Sequence, residues 1–222
     1  MNVLTLGLYA EGRTDERFLP IIIQRTTQDI LIAHDRMSIE VNEPFIIKKP
    51  SDISPLDECI LHAAQEVYDY HALIIHSDAD NRTHQETLVK RFHPGYTLVQ
   101  QENGRVCKTL IPIIPVRMVE AWMIADPDAL RTALKVTVSL SNVGVPNKAK
   151  LVESEREPKK ILDQVIQLAY ARKPQSARSE IKGKLYERLA PLISLDRLKQ
   201  VPSYHQFVVD MTTALKSINF IS

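Results

Sequence analysis

The sequence predicts an α/β protein in which a mostly parallel sheet of four strands is flanked by helices and followed by a helical C-terminal extension. Over roughly the first 125 residues, segments rich in β-formers alternate with segments of helical apolar periodicity. This alternation is typical of a right-handed, doubly wound parallel sheet. Beyond it, helical patterns separated by proline- and serine-containing breaks replace the alternation. We therefore predict two parts, residues 1–135 and 136–222, with the second packed on the first.

The first half of the sheet follows from residues 3–9 and 38–48, which are rich in β-formers and predict the first and second strands. Between them, Thr14 is placed to cap a helix that runs to about Ala33. Ser54, which is followed by proline, predicts the start of the next helix.

The second half of the sheet follows from two apolar segments. Residues 72–76 form a short, almost continuously apolar run, as expected for a strand that is covered on both faces. Residues 110–114 are similar, but Pro112 and the following Pro115 favour a sheet edge or a strand end. Between the two, Thr83 and Glu86 form a capping-box pattern that opens a helix. Later helical patterns occupy residues 118–125, 158–171, 177–189 and 204–218.

The composition is ordinary for a soluble globular protein, with 44% apolar and 25% charged residues. No apolar run approaches the roughly 20 residues that span a bilayer, and the N-terminal residues lack a basic leader. Cys59 and Cys107 lie far apart without a CxxC pattern, which is typical of a protein with reduced thiols. We therefore expect a cytoplasmic protein without membrane contact.

The charge is divided unevenly along the chain. Residues 1–140 contain 14 Lys and Arg against 19 Asp and Glu, whereas residues 141–222 contain 14 against 8. The basic C-terminal part could meet nucleic acid, and the acidic N-terminal part could attract cations. Alternatively, the two parts simply neutralise each other.

Three carboxylates follow strands that we expect to be neighbours: Glu11 after the first strand, and Asp78 and Asp80 after residues 72–76. Ligands bind outside the carboxyl ends of parallel strands, and residues two apart in an extended segment point to the same side. Clustered carboxylates repel one another without a cation, and their oxygens are the ligands that Mg²⁺ or Mn²⁺ prefers. The sequence therefore predicts a Mg²⁺ or Mn²⁺ site that acts on phosphate esters. The alternative for Asp78 and Asp80 is an ordinary turn or a helix N-cap. His76 either lies close to these carboxylates or is an ordinary packed or surface histidine.

Glu11 and its neighbours are also placed to act on a substrate. Glu11 is a candidate general acid or base, and Gly12 lets a phosphate approach the backbone at a helix N-terminus. Arg82 and Arg117 are candidate phosphate ligands because they lie near the carboxylates in the sequence. Exposed or ion-paired arginines are the common alternative. Further phosphate-binding candidates in the basic C-terminal part are Lys159 and Lys160.

Residues 9–16 (Tyr-Ala-Glu-Gly-Arg-Thr-Asp-Glu) and 76–80 (His-Ser-Asp-Ala-Asp) resemble the TOPRIM domain, which topoisomerases, primases and OLD-family nucleases share. More closely, the chain resembles a prokaryotic TOPRIM-like family. In that family a Pro-x-x-x-x-Glu-x-Trp-x-x-Ala-Asp segment follows, here residues 115–126. The helical tail of the family opens with Glu-Pro-x-Lys, here residues 157–160, so the resemblance covers most of the chain.

The resemblance implies roles for these carboxylates. Glu11 would be the general acid or base at the metal site, and Asp78 and Asp80 would be metal ligands. Glu120 would be an extra carboxylate near the metal, with a plain surface glutamate as the alternative. Further carboxylates in or beside the site would be Asp15 and Asp126. Members of such families often stand beside SMC- or ABC-like ATPases in defence loci, which implies an ATPase partner.

The preferred interpretation is a metal-dependent nuclease that hydrolyses phosphodiester bonds in DNA or RNA, as the effector of a prokaryotic defence system. The sequence has no identifiable catalytic tyrosine of the topoisomerase kind and no primase zinc module. The alternatives are a non-catalytic regulatory subunit of an ATPase complex and a nucleic-acid-binding module. A homo-oligomer is compatible with each of these functions.

Overall fold

The computed structural model describes residues 2–50, 55–137 and 139–222. Strands within these ranges are β1 Asn2–Leu4, β2 Leu6–Tyr9, β3 Ile39–Val41, β4 Phe45–Ile47, β5 Ala72–His76 and β6 Leu110–Ile113. The α-helices are α1 Asp15–Ala33, α2 Leu56–Glu66, α3 His84–Thr87, α4 His93–Gln101, α5 Val119–Met123, α6 Pro127–Leu134, α7 Pro158–Ala169, α8 Gln175–Leu189, α9 Leu195–Leu198 and α10 Pro202–Ser217. A π-helical turn at Leu88–Phe92 joins α3 to α4, and 3₁₀ turns lie at Ser141–Val143 and Ala149–Ser154. None of the helices in these ranges has the length and apolar content needed to cross a membrane.

A four-stranded parallel sheet in the order β4-β2-β5-β6 forms the centre of the fold, and β1 pairs with β3, also in parallel. The predicted α/β class, the four parallel strands with flanking helices and the helical C-terminal part are therefore confirmed. β6 is an edge strand, which is one of the two positions that its proline favours. The predicted first strand is divided at Thr5 into β1 and β2. The predicted capping box of Thr83 and Glu86 is confirmed at the start of α3.

The pairing of β2 with β5 sets the position of the loops that carry the candidate residues. Tyr9 of β2 is opposite Ile75 of β5, and the two strands run in the same direction. Both strands therefore end at the same edge of the sheet. The loops that begin at Ala10 and Ser77 consequently emerge side by side.

Each face of the sheet is covered by its own hydrophobic core. Ile74 belongs to the larger core, which also contains residues of α1 and the C-terminal helices. Its neighbours Leu73 and Ile75 belong to a second core with α2 and α4. This alternation is the two-residue period of a strand. Every residue of β5 is buried, which explains why its sequence is almost continuously apolar.

The C-terminal helices share the larger core with the sheet. Trp122 of α5 is fully buried, and its indole N–H donates a hydrogen bond to Ser203 Oγ of α10 at 2.9 Å. The Tyr204 ring meets Trp122 edge-to-face, with 5.2 Å between the ring centroids. α10 thus packs against α5, the helix that follows the last strand of the sheet. The predicted boundary between the two parts at residue 135 stays a prediction.

Two helix starts differ from the expectation. Thr14 precedes α1 but makes no side-chain cap, because its own backbone is already helical at φ −72° and ψ −34°. Instead, the Gly12 carbonyl accepts a hydrogen bond from the Asp15 N–H at 3.1 Å. α2 begins at Leu56, and the expected cap at Ser54 lies outside the described residues.

Replacing Trp122 with alanine should lower the free energy of unfolding by about 3–5 kcal/mol, because it empties a core site and removes the partner of the Ser203 hydroxyl. Chemical denaturation followed by circular dichroism measures this change. Val209→Ala is the matched control, since Val209 lies on α10 but is 43% exposed. The control should change the free energy of unfolding by less than about 0.5 kcal/mol. Equal losses in both variants would contradict a shared core.

Candidate metal and phosphate site

Two loops at the carboxyl edge of the sheet bring Glu11 close to Asp78. Glu11 lies just beyond β2, and its Oε2 accepts a hydrogen bond at 2.7 Å from Oγ of Ser77, the first residue after β5. The Ser77 N–H donates in turn to the Ile113 carbonyl at 3.2 Å. The loop that carries Asp78 is thereby anchored to β6, and Glu11 is held by that loop.

His76, the last residue of β5, lies between two carboxylates. Its Nε2 is 3.2 Å from Asp78 Oδ1, and its Nδ1 is 3.7 Å from Asp15 Oδ2. The His76 side chain is fully buried, and its Nδ1 has no hydrogen-bond partner among the described residues. Of the two positions considered for His76, contact with the carboxylates is the one observed.

Glu120 adds a further carboxylate from α5. It is 6% exposed, which rules out a surface glutamate, and its Oε1 accepts a hydrogen bond from Tyr186 Oη at 2.6 Å. The Glu120 charge raises the pKa of both Asp15 and Asp78, so it lies within electrostatic reach of them. We call these four side chains the carboxylate cluster: Glu11, Asp15, Asp78 and Glu120.

The carboxylate cluster is short of positive charge. Burial raises the pKa of Asp15 to about 6, although His76 opposes this rise and the other carboxylates add to it. Burial also raises the pKa of Asp78, despite its hydrogen bond with His76. Burial would lower the pKa of His76, but the contacts with Asp78 and Asp15 outweigh it and raise that pKa. Buried carboxylates with raised pKa values are groups that a nearby cation would stabilise.

Arg91 is a cation of the site that the sequence did not reveal. Its Nη2 donates to Glu11 Oε1 at 3.1 Å, and its Nη1 donates to the Asp78 carbonyl at 3.2 Å. Burial would raise the pKa of Glu11, but the hydrogen bond from Ser77 and the charge of Arg91 hold it below its ordinary value. Arg91 comes from the π-helical turn, 80 residues beyond Glu11, and no local pattern signals such a contact.

A groove of about 690 Å³ opens beside Glu11. Three exposed cations line it, Arg13, Lys48 and Lys49, together with the carboxylates of Glu11 and Glu16, and we call it the basic groove. The two lysines directly follow β4, which pairs with β2 in parallel, so they emerge at the same edge of the sheet as Glu11. None of the three was a candidate from the sequence, although a lysine pair at the end of an expected strand is a usable signal.

Asp80 lies in a backbone conformation that differs from the expectation. Its φ of 54° is in the left-handed region, so the extended segment expected through Asp78 and Asp80 is wrong at Asp80. Asp80 is exposed, and its carbonyl accepts a hydrogen bond from Arg117 Nη1 at 3.3 Å. The same nitrogen donates to Asn81 Oδ1 at 2.7 Å, so Arg117 braces this loop. A metal-binding role for Asp80 and a phosphate-binding role for Arg117 stay predictions.

Asp126 has a structural role at the start of α6. Its Oδ1 accepts hydrogen bonds from the N–H groups of Asp128 and Ala129, and its Oδ2 accepts one from the Ser194 N–H at 3.0 Å. Both oxygens therefore join α6 to the C-terminal part. In the part of the chain that the structure describes, no hydrogen bond or ion pair connects the carboxylate cluster to the exposed side chains of Arg82, Lys159 and Lys160. Their roles as phosphate ligands stay predictions.

Gly12 packs closely against the Asp15 carboxylate. A β-carbon at this position would lie 2.6 Å from Asp15 Oδ2, closer than such atoms approach one another. Any side chain at Gly12 would therefore displace the Asp15 carboxylate. The close approach of a phosphate to Gly12 stays a prediction.

The carboxylate oxygens of the cluster are ligands that a hard divalent cation prefers, but the four side chains do not converge on a single point. Within the described ranges, no group of three or more His, Cys, Asp and Glu side chains is arranged to hold a metal ion. Asp78 is engaged by His76, and Glu11 is engaged by Ser77 and Arg91. The four carboxylates nevertheless outnumber these two cationic side chains, and Mg²⁺ or Mn²⁺ would neutralise the excess negative charge.

A comparison with protein-family models gives a match that spans most of the chain. The family described as "Domain of unknown function (DUF4276)" matches residues 10–212. The matched range contains both loops of the candidate site and most of the C-terminal helices. No curated protein and no solved structure matches the chain.

The raised pKa of Asp15 predicts how stability depends on pH in the absence of divalent metal. With a folded-state pKa of about 6, Asp15 binds its proton more tightly when folded, so this carboxylate lowers stability as pH rises from about 4 to about 6. Asp15→Asn should therefore be more stable than the wild type at about pH 8, on the order of 2 kcal/mol, and similar at about pH 4. Denaturation at both pH values in the presence of a chelator measures the difference.

Glu16→Gln is the matched control for this measurement, because it removes a carboxylate from the same first turn of α1. The control should show no gain in stability at alkaline pH. If Asp15→Asn were instead less stable than the wild type at alkaline pH, the raised pKa of Asp15 would be refuted.

Proposed function

We propose that the chain, which belongs to the DUF4276 family, hydrolyses phosphodiester bonds in DNA or RNA with the help of Mg²⁺ or Mn²⁺. The observation that carries this proposal is the position of Glu11. On one side it belongs to the carboxylate cluster, and on the other it lines the basic groove. A site that cleaves a phosphate chain needs both features, since one attracts the metal and the other attracts the substrate.

The basic groove provides positive charge for a phosphate backbone. Lysine and arginine side chains neutralise backbone phosphates and release their counterions, which gives affinity without dependence on sequence. Lys48, Lys49 and Arg13 are exposed and therefore accessible to a polyanion. A strand bound along this groove would bring one of its phosphates next to Glu11.

The carboxylate cluster provides the oxygen ligands for the metal. Asp78, Asp15 and Glu120 would hold it, with Glu11 beside them and Asp80 available from the same loop as Asp78. When bound, the metal would stabilise charge on the phosphoryl oxygens and favour ionisation of a water molecule. A ligand set made of oxygen atoms favours Mg²⁺ or Mn²⁺ over zinc.

Glu11 would serve as the general base. Its pKa lies below the ordinary value, so the carboxylate is ionised at neutral pH and can accept a proton from the attacking water. Ser77 and Arg91 each donate to one of its oxygens, which fixes the orientation of the carboxylate. The Glu11 side chain is 44% exposed, so water and substrate can reach it.

A non-catalytic subunit of an SMC- or ABC-like ATPase complex is the competing proposal. The observation that favours it is that His76 and Arg91, with Ser77, already contact the carboxylates. In the described ranges these carboxylates do not converge on one point. Such a chain would need its partner to rearrange these contacts. Cleavage by the isolated chain therefore distinguishes the two proposals.

The purified chain should cleave supercoiled plasmid or total tRNA with Mg²⁺ or Mn²⁺, and should not cleave either one with chelator. Asp78→Asn should lower the cleavage rate on the order of 100-fold or more, because it removes a charged metal ligand. Gel electrophoresis of both substrates over time measures the rate and shows whether DNA or RNA is cut.

Asp128→Asn is the matched control, because Asp128 is an exposed aspartate that pairs with Arg131 on the surface of α6. This variant should cleave at the wild-type rate. If the wild-type chain cleaves neither substrate with either metal, the stand-alone nuclease is excluded and the ATPase-dependent subunit becomes the better account.

Lys48→Gln and Lys49→Gln should each weaken nucleic-acid binding and reduce the slope of log affinity against log salt by about 1, because each removes roughly one phosphate contact. Fluorescence anisotropy with a labelled oligonucleotide, in chelator and at several salt concentrations, measures the slope. Lys216→Gln, at an exposed position in the last turn of α10, is the control and should leave the slope unchanged. Wild-type slopes in both groove variants would show that the substrate binds elsewhere.

A further inference from the structure

Tyr186 of α8 connects the C-terminal helices to the carboxylate cluster. Its hydroxyl donates a hydrogen bond to Glu120 Oε1 at 2.6 Å, and this contact joins residues that are 66 positions apart in the chain. Both side chains are buried, since Tyr186 is 1% exposed and Glu120 is 6% exposed. A residue of the C-terminal part thus reaches a carboxylate that comes from the end of the sheet domain.

Glu120 depends on this hydrogen bond for its orientation. Among the residues that the structure describes, no ion pair and no second hydrogen bond holds the Glu120 carboxylate. Its own helix, α5, has only five residues and fixes the backbone alone. By comparison, Glu11 is held at both oxygens, by Ser77 and by Arg91. Removal of the Tyr186 hydroxyl would therefore leave Glu120 without a group that fixes its direction.

The Tyr186 hydroxyl orients Glu120 without neutralising its charge. Burial, and after it the charge of Glu120, raises the pKa of Tyr186, so the hydroxyl keeps its proton and is the donor. The partners of the other carboxylates include His76 and Arg91, which are cationic side chains. A metal ligand needs its negative charge together with a fixed direction, and hydrogen bonds from neighbouring groups supply that direction. Tyr186 has the properties of such a neighbour.

The helix that carries Tyr186 is also fixed to the first turn of α1, which contains Asp15. Arg17 Nη1 of α1 donates a hydrogen bond to the Gly183 carbonyl of α8 at 3.1 Å. Arg17 Nε lies 3.9 Å from Glu187 Oε1, also on α8. Since Gly183 and Glu187 stand on either side of Tyr186 in the sequence, α8 is attached beside Asp15 at the level of Tyr186.

A purely structural contact would not require a charged group at this place. Burial of a carboxylate costs free energy, and replacing both members of a buried polar pair with apolar groups of the same shape is often neutral or stabilising. Over the described length of α8, the other buried side chains are Leu185 and Leu189, and both are apolar. The buried charge of Glu120 therefore lowers stability, and a role in metal binding accounts for it.

We propose that Tyr186 is a positioning residue of the metal site, and that the C-terminal helices complete this site through it. The Tyr186 hydroxyl fixes Glu120 by its Oε1. The other oxygen, Oε2, accepts no hydrogen bond in the described structure and is left for a divalent cation. This inference rests on the metal site of the proposed function, but it does not depend on cleavage of nucleic acid.

Binding of Mn²⁺, followed by electron paramagnetic resonance, tests this role without a substrate. Tyr186→Phe should weaken Mn²⁺ binding about tenfold, because loss of a group that orients a metal ligand typically costs roughly 10–100-fold in affinity. Tyr204→Phe is the matched control, since the Tyr204 hydroxyl is also buried, is hydrogen-bonded to Thr26 Oγ1 at 2.6 Å, and its ring packs on Trp122 of α5. Both variants lose a buried hydrogen bond and should unfold at a lower temperature than the wild type. Only Tyr186→Phe should bind Mn²⁺ more weakly.

Glu120→Gln shows whether Tyr186 acts through Glu120. In this background Tyr186→Phe should change the Mn²⁺ affinity by less than about twofold, because the carboxylate that it orients is gone. The same loss with and without Glu120, or equal Mn²⁺ binding by the wild type and Tyr186→Phe, would overturn the positioning role and leave the metal site intact. A chain that shows the expected Mn²⁺ binding but cleaves neither plasmid nor tRNA would refute the stand-alone nuclease and support the positioning role. Absence of Mn²⁺ binding by the wild-type chain would overturn both.

Discussion

The parallel pairing of β2 with β5 is the constraint on which the rest of the structure depends. Tyr9 stands opposite Ile75, so the two strands end level and Ser77 Oγ can reach Glu11 Oε2 at 2.7 Å. Both strands are buried along their full length, which requires helices on each face of the sheet. A slip of two residues in this register would move the loops about 7 Å apart along the strands and separate Glu11 from Asp78.

Charge determines what these loops can do. Two cationic side chains face the carboxylate cluster, and they come from different elements. His76 is the last residue of β5, and Arg91 belongs to the π-helical turn. Together they orient the carboxylates but leave negative charge in excess. This excess attracts a divalent cation. Burial is the main cause of the raised pKa of Asp15 and the neighbouring carboxylates add to it, so the cluster destabilises the fold when no cation is bound. Function and stability therefore oppose each other at this edge of the sheet.

The sequence predicted those parts of the fold and site that depend on local signals. The apolar residues 72–76 form the strand β5, and the carboxylates that follow strands lie at one edge. Arg91 could not be predicted, because its contact with Glu11 joins residues 80 positions apart through tertiary packing. Asp80 was misjudged because its left-handed backbone belongs to a loop that Arg117 braces from another segment. The resemblance to the TOPRIM domain stays a prediction, since no solved structure matches the chain.

Uptake of Mn²⁺ by the carboxylate cluster decides most directly between a metal-dependent site and a structural charge network. Electron paramagnetic resonance distinguishes free from bound Mn²⁺ and needs neither substrate nor partner. We expect the wild-type protein to bind Mn²⁺ saturably, Mg²⁺ to displace it, and Asp78→Asn to lose this binding. Failure of the wild-type protein to bind Mn²⁺ at millimolar concentrations, or equal binding by Asp78→Asn, would contradict a metal site at this edge of the sheet.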